Sequence, residues 1–223
     1  LCVLLTIVVF EKTHIDLKVQ DLFYDPVRGW RVDAKAPGPR LIFYQGPKWV
    51  LVVFVASQMA GFAFAYGQSD EYSFLMSDFG RDESRMWFEG SVQKLASVTA
   101  SLFTAGFHRA YADPGYAAFD ARVFAIPQRR EVERYFLWRQ ADATRNSLNM
   151  LTSAHYTHEE LLGKSAAEKH DLLHAKGENW AKWPADFKRG RVVRTDGTVD
   201  LEIPVFTRDP AYLDALIPHA DAL

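Results

Sequence analysis

Short apolar blocks alternate with polar residues in the first half of the chain, and two of these blocks predict a β-hairpin. Residues 62–66 and 72–76 are apolar runs rich in aromatic side chains, and Gly67 and Ser69 lie between them. Two such runs around a polar turn are typical of antiparallel strands joined by a hairpin. We therefore predict a strand, a turn and a second strand in this region.

Longer segments with apolar residues three or four positions apart predict two long helices. The first covers residues 83–111 and ends before the Pro-Gly pair at 114–115. The second covers residues 131–151, and the pattern turns four of its side chains toward the core, namely Tyr135, Trp138, Leu148 and Leu151. On or beside its polar face the pattern places Arg134, Arg139 and Arg145.

Local signals predict three shorter elements. Residues 119–127 have the composition of a short strand. Thr157, followed three positions later by Glu160, forms a capping box, so a third helix begins there and runs to about residue 174. An Asp-Gly turn between β-branched runs in residues 191–203 predicts a second hairpin.

The uncharged stretch 49–66 is long enough to raise a membrane-spanning interpretation, but its composition favours a core helix followed by a central strand. Ser57 and Gln58 interrupt it, and it runs directly into the polar residues 68–71. The apolar run 1–10 is too short to span a bilayer, and it has neither a basic leader nor a cleavage site. We therefore expect no association with a membrane.

The order of these elements favours an α+β fold. Strands separated by long helices, with a tight hairpin in the middle of the sheet, suggest an antiparallel sheet covered by helices on one face. A ferredoxin-like or polymerase-palm domain has this arrangement, with a helical and β-hairpin extension at the C-terminal end. The open face of the sheet would then present the acidic hairpin.

Composition narrows the chemistry. The 223 residues include one cysteine, Cys2, which excludes an intramolecular disulfide and a cysteine-based zinc site. The net charge is -2, but residues 120–194 carry 14 Lys and Arg against 10 Asp and Glu, a local charge of +4 that leaves -6 elsewhere. This excess of positive charge suits a polyanionic partner, and a solvated basic face explains it equally well.

Asp70 and Glu71 are adjacent carboxylates in the predicted turn. Carboxylates are the ligands that hard cations prefer, and two such cations can bridge a triphosphate. Neighbouring side chains of a strand point to opposite faces, so at most one of the pair faces a given metal ion. We favour Asp70 because it is nearer the turn, and a merely solvated hairpin tip is the alternative.

Several motifs resemble those of one enzyme family. They are Tyr-Gly-Gln-Ser-Asp-Glu at 66–71, Phe-Asp-Ala-Arg-Val at 119–123, and Trp-Arg-Gln-Ala-Asp at 138–142 followed by Arg-Asn-Ser at 145–147. Over residues 56–217 the chain resembles the tRNA(His) guanylyltransferases, and in particular their bacterial and phage relatives. The Trp-Arg-Gln sequence is the most specific of these motifs, and it falls on the second long helix.

The resemblance implies an activity and its partners. Members of this family add nucleotides to the 5′ end of tRNA in the 3′-to-5′ direction, and the bacterial branch resembles repair enzymes for 5′-truncated tRNA. They use a palm-like domain, two Mg2+ ions, and GTP, ATP or other nucleoside triphosphates. The resemblance also implies a cytoplasmic homotetramer.

The resemblance further implies roles for individual residues. Asp70 and Glu71 would be catalytic, with Asp70 binding metal. Nucleotide binding is implied for Ser69, Lys94 and Asn146, and contact with tRNA or triphosphate for Arg139, Lys164, Lys188 and Arg189. Each could instead be structural, and for Arg139 the alternative is an ion pair with Asp142 or Asp120.

The start of the chain departs from the family pattern. Members carry an Arg-x-Asp-Gly motif whose aspartate holds both metals, and the nearest string here, residues 31–35, keeps Asp33 but has Ala in place of Gly. Asp33 is therefore the candidate for the second metal ligand.

We divide the chain into an atypical segment 1–55, a palm-like catalytic domain 56–152 and an extension 153–223. A catalytically impaired RNA-binding remnant and another palm-type enzyme, such as a nucleotide cyclase, are the alternative functions.

Overall fold

The computed structural model describes residues 2–10, 24–25, 29–30, 46–69, 71–78, 86–110 and 117–219. The strands in these ranges are β1 (Cys2–Phe10), β2 (Tyr24–Asp25), β3 (Gly29–Trp30), β4 (Phe62–Gln68), β5 (Glu71–Ser77), β6 (Ala118–Ile126), β7 (Arg191–Arg194) and β8 (Val199–Asp200). The α-helices are α1 (Gly46–Gln58), α2 (Val92–Ala110), α3 (Arg129–Ser153), α4 (His158–Leu161), α5 (Ala166–Ala175), α6 (Ala185–Arg189) and α7 (Pro210–Asp214). Trp87–Gly90 and Trp180–Lys182 are 3-10 helices.

Six of these strands form one sheet in the order β6-β1-β5-β4-β7-β8, and β2 pairs with β3. The pairs are antiparallel, as the α+β prediction required. The apolar run at the start of the chain forms β1, which lies between β5 and β6. The sheet therefore takes strands from all three segments into which we divided the sequence, although that division itself stays a prediction.

Helices cover both faces of the sheet, so the prediction of helices on one face only was wrong. Tyr72 and Phe74 of β5 pack in a core with α1 and α2, whereas Leu75 of the same strand packs against α3. The reason lies in the strand sequences, because β4 and β5 carry apolar side chains in both alternating sets and each set needs a cover.

The two long helices differ in how well the sequence placed them. Helix α3 extends two residues beyond the predicted range at each end. Helix α2 begins at Val92, well after residue 83, because Phe88 and Glu89 have left-handed φ angles of 51° and 54° that interrupt a helix. The predicted core position of Trp138 was also wrong, since this side chain is 54% exposed while the neighbouring Arg139 is 5% exposed.

The predicted third helix is divided into α4 and α5. The predicted capping box at Thr157 and Glu160 is present, but α4 ends after one turn, and Gly163 follows with a φ of 73°. Ser165 and Glu168 form a second capping box that starts α5. The predicted C-terminal hairpin is confirmed as β7 and β8. Within the described ranges, no helix has both the length and the apolar character needed to cross a bilayer.

Candidate functional site

The hairpin of β4 and β5 places its turn at the end of the sheet. Gln68 pairs with Glu71 as the last rung, and Ser69 starts the turn with a left-handed φ of 55°. The two predicted metal ligands, Asp70 and Asp33, lie outside the described residues. Their roles therefore stay predictions, and the described part of the site consists of the residues around the turn.

Glu71 is held by a buried arginine of α3. Its Oε2 lies 2.6 Å from Nη2 of Arg139, and the Glu71 side chain keeps 27% of its surface exposed. Ser73, two positions further along β5, faces the same helix and lies 2.9 Å from the Tyr135 hydroxyl. These two contacts fix the start of β5 against α3. Glu71 thereby orients the Arg139 guanidinium at the edge of the turn.

Asp142 continues this network along α3. Its carboxylate lies 3.8 Å from Arg139 Nη1 and accepts hydrogen bonds from Arg145 at 2.7 Å and from Asn146 at 3.0 Å. Residues three and four positions apart share one helix face, which explains why these side chains meet. The expected pairing of Arg139 with Asp142 is thus present, but Glu71 is its nearer partner.

An open cleft of about 420 Å3 lies beside this network. The hairpin contributes Ser69 and Glu71 to its lining, and α3 contributes Asp142, Asn146, Asn149 and Met150. Met150 is the apolar residue of this lining, and the other lining residues have polar side chains. A cleft of this kind can hold the base and sugar of a nucleotide.

Two asparagines in the cleft have amide orientations set by their neighbours. Asn146 donates its NH2 group to the Asp142 carboxylate, so its carbonyl oxygen is left as an acceptor. Asn149 accepts a hydrogen bond from Lys169 Nζ at 2.9 Å, so its NH2 group is left as a donor. One fixed acceptor and one fixed donor suit the edge of a nucleobase.

Sequence reasoning found Asn146 but missed Asn149 and Lys169. Asn149 lies seven positions after Asp142, two helical turns along the same face, so helical spacing could have identified it. Lys169 comes from α5, and nothing in the local sequence indicates that this helix packs beside Asn149. Only the docking of α5 on α3 brings the two together.

Two predicted contact residues lie away from this network. Lys94 is exposed near the start of α2, which covers the opposite face of the sheet from α3, and it has no ion pair among the described residues. Lys164 is exposed and lies 3.3 Å from Glu168, at the start of α5. Neither side chain contacts Glu71 or Asp142 in the described part of the chain.

Lys188 and Arg189 act within the fold around α6. Lys188 donates to the Ala181 carbonyl at 2.6 Å, and burial together with the Arg189 guanidinium lowers the pKa of its ammonium group. Arg189 donates from Nε to the Ile203 carbonyl at 3.1 Å, and its own carbonyl accepts from the Tyr66 hydroxyl at 2.6 Å. Burial raises the pKa of that phenol. These contacts fasten α6 to β4.

A further carboxylate lies in the same row of the sheet as Glu71. Val8 of β1 pairs with Glu71 on one side and with Asp120 of β6 on the other, so all three positions share one face. Asp120 has a buried Oδ1 without a hydrogen-bond partner in the described structure, and its Oδ2 lies 3.7 Å from Arg122. No group of three or more metal-ligating side chains occurs among the described residues, which include neither Asp70 nor Asp33.

Comparison with known proteins gives one consistent family. Residues 51–127 match the family model described as tRNAHis guanylyltransferase. The tRNA(His) guanylyltransferase of Schizosaccharomyces pombe is 32% identical over 155 residues, which are 62% of this chain and 58% of that protein. The enzyme of Neurospora crassa is 31% identical over 159 residues, or 62% of this chain and 53% of that protein. The chain therefore spans little more than half the length of these curated relatives.

Solved structures extend the match over almost the whole chain. A bacterial tRNA(His) guanylyltransferase-like protein in complex with ATP has a TM-score of 0.79 and 29% identity, covering 98% of this chain and 91% of that one. A similar protein in complex with GTP has a TM-score of 0.72 and 27% identity, covering 98% and 90%. The enzyme from Saccharomyces cerevisiae, at 23% identity and a TM-score of 0.66, shares the fold.

Proposed function

We propose that this chain, which matches tRNA(His) guanylyltransferases in sequence and in fold, is a nucleotidyltransferase of that family that adds nucleotides to the 5′ end of tRNA in the 3′-to-5′ direction. The observation that carries the proposal is the network of Glu71, Arg139, Asp142 and Asn146 beside the hairpin cleft. Support also comes from the ATP and GTP complexes of the bacterial proteins that this chain matches over 98% of its length.

The proposed reaction has two steps, both at the 5′ end of the tRNA. A nucleoside triphosphate first transfers its nucleotidyl group to the 5′ monophosphate and releases pyrophosphate. The 3′-hydroxyl of an incoming nucleotide then attacks the activated 5′ phosphorus, displaces the activating nucleoside monophosphate and loses its proton. Both steps concentrate negative charge near the hairpin turn. Fixed cations and oriented dipoles are the groups that stabilise such charge.

The side chains of the cleft have separate tasks in this proposal. The Asn146 carbonyl and the Asn149 NH2 group contact the edge of the base, and Ser69 lies at the hairpin end of the cleft, beside the expected metal aspartate. Glu71 positions Arg139, whose guanidinium stays within 3.8 Å of Asp142. Arg139 thereby links the turn to the nucleotide cleft.

We expect two Mg2+ ions, which would supply charge neutralisation to the triphosphate when bound. Ser69 and Glu71 line the cleft at the turn and offer oxygen atoms, the donors that a hard cation prefers. Asp120, which is separated from Glu71 by β1 in the sheet, has an Oδ1 without a hydrogen-bond partner among the described residues. Asp70 is the expected principal ligand, and Asp33 the candidate for the second.

A homotetramer in the cytoplasm is the expected form of the protein, and light scattering after size-exclusion chromatography tests the assembly.

The activity is tested by incubating the protein with 5′-truncated tRNA, Mg2+ and labelled nucleoside triphosphates. The expected result is labelled extension of the tRNA by the wild type, abolished in Asp70→Ala and retained in Asp171→Ala, which removes an exposed carboxylate on α5. The proposal fails if the wild type does not extend the tRNA or if Asp70→Ala extends it undiminished. Salt-sensitive tRNA binding without turnover would instead support the RNA-binding remnant.

A further inference from the structure

Three aromatic side chains form a continuous surface strip next to the network of Glu71 and Arg139. The strip consists of Phe124 on β6 and of Tyr135 and Trp138 on α3, with ring centroids 5.8 Å apart for the first pair and 6.0 Å for the second. Phe124 and Trp138 are both exposed, and Trp138 shows more than half of its surface to solvent. A contiguous exposed aromatic surface on a folded domain indicates a binding site.

The strip is held in place by contacts that lead to the hairpin. The Tyr135 hydroxyl lies 2.9 Å from the Ser73 hydroxyl on β5. The Arg139 guanidinium lies 5.1 Å from the centre of the Trp138 ring, and Glu71 fixes its position. Two side chains of the strip are therefore oriented before any ligand binds, and this limits the entropy lost on binding.

Three arginines surround the strip, and each side chain is more than half exposed. Arg122 lies two positions before Phe124 on the same face of β6, and Arg134 and Arg145 share the face of α3 that carries Trp138. Their carboxylate partners are Asp120 at 3.7 Å, Glu131 at 2.7 Å and Asp142 at 2.7 Å. Exposed pairs of this kind are weak, and a guanidinium has five donors, so each arginine can also contact a phosphate.

We propose that this strip is a platform on which an unpaired base of the RNA substrate stacks, with the arginines contacting its phosphates. Aromatic rings and arginine planes within a basic rim are the chemistry that binds single-stranded RNA independently of its sequence. The ring centroids are separated by 5.8 and 6.0 Å, so the strip is longer than one base. This length favours an RNA strand over a single nucleotide as the ligand. The assignment rests on the proposed action on tRNA.

The test compares Trp138→Leu, which removes the ring but keeps an apolar side chain, with Trp138→Phe, which keeps a ring. Phe88→Leu is the matched control, because Phe88 is an exposed ring outside the strip, with its centroid 4.6 Å from that of the Trp87 ring. Affinities are measured for a 5′-truncated tRNA, for a short single-stranded oligoadenylate and for ATP, and light scattering gives the assembly state of each variant. Thermal unfolding checks that each variant is folded.

We expect Trp138→Leu to bind both RNAs at least about fivefold more weakly, the smallest effect of losing one base–aromatic stack. Trp138→Phe should recover most of this affinity, and ATP binding and assembly should not change. Equal RNA affinity in Trp138→Leu and wild type overturns the platform and leaves the proposed function intact. A parallel loss of ATP affinity assigns the strip to the incoming nucleotide, and dissociation assigns it to a second copy of the chain; either result overturns the inference. A wild type that binds neither RNA overturns the platform and the proposed function together.

Discussion

The ion pair between Arg139 and Glu71 gives a sharp prediction because its partners differ in exposure. Arg139 is 5% exposed, and the Glu71 side chain is 27% exposed at a separation of 2.6 Å. Glu71→Leu leaves a buried guanidinium whose remaining carboxylate, Asp142, is 3.8 Å away, and we expect a loss of about 3 kcal/mol in the free energy of unfolding. Arg139→Met leaves a carboxylate that water reaches, and we expect a loss of about 1–2 kcal/mol.

The test is a double-mutant cycle, in which urea denaturation gives the free energy of unfolding of the wild type, of both single variants and of the double variant. We expect a coupling energy of at least about 1.5 kcal/mol, because the double variant leaves neither of the paired charges behind. Arg134 and Glu131, 2.7 Å apart on the same helix but exposed, form the control pair, with an expected coupling of about 0.5 kcal/mol or less. A Glu71–Arg139 coupling no larger than the control, or a costlier loss for Arg139→Met than for Glu71→Leu, refutes this reasoning.

Three further predictions concern the backbone, pH and the cleft. Gly190→Ala should lower the free energy of unfolding by about 2 kcal/mol or more, because the residue has a φ of 76° and its new Cβ would meet the Gly67 carbonyl oxygen at 2.7 Å; an unchanged melting temperature contradicts this. Hydrogen bonds from the backbone and side chain of the helix cap lower the pKa of Glu168 from 4.5 to about 2, so its stabilising effect is complete above pH 4.5 and is lost as the pH falls toward 2. Chemical denaturation should therefore find wild type and Glu168→Gln converging over that interval, and a constant difference disproves the linkage. Lys169→Met should raise the KM for nucleoside triphosphate about fivefold, the value of one hydrogen bond, whereas Lys176→Met, an exposed lysine at the C-terminal end of the same helix, should not; equal KM values in both variants oppose the role of the oriented amide.

The sequence predicted most elements because their signals are local. Period-two and period-3.6 patterns identified the hairpin of β4 and β5 and the two long helices, and the Asp-Gly turn identified β7 and β8. The late start of α2 was missed because Phe88 and Glu89 adopt φ angles that apolar periodicity does not report. The division of the third helix at Gly163 was missed for a related reason, since a capping box marks where a helix begins and not where it ends.

For the candidate site, the sequence identified some of the residues, and the structure decided how they are placed. Motif resemblance alone indicated the family and selected Arg139 and Asn146, while Asp70 and Asp33 stay predictions. The rotation of α3 could not be obtained from periodicity. Trp138 and Arg139 lie about 100° apart around the helix axis, and the apolar pattern turned Trp138 toward the core, whereas the structure buries Arg139 instead. The carboxylate of Glu71 decides this, since a buried guanidinium requires a charged partner within reach.

By itself, the sequence determined the identity and order of the main elements and the chemistry expected at the hairpin. Only the tertiary structure decided that β1 joins the middle of the sheet, that helices cover both faces, and that Lys169 orients Asn149 in the cleft. Each of these depends on contacts between residues far apart in the chain, which burial and hydrogen bonding select and local propensity does not encode.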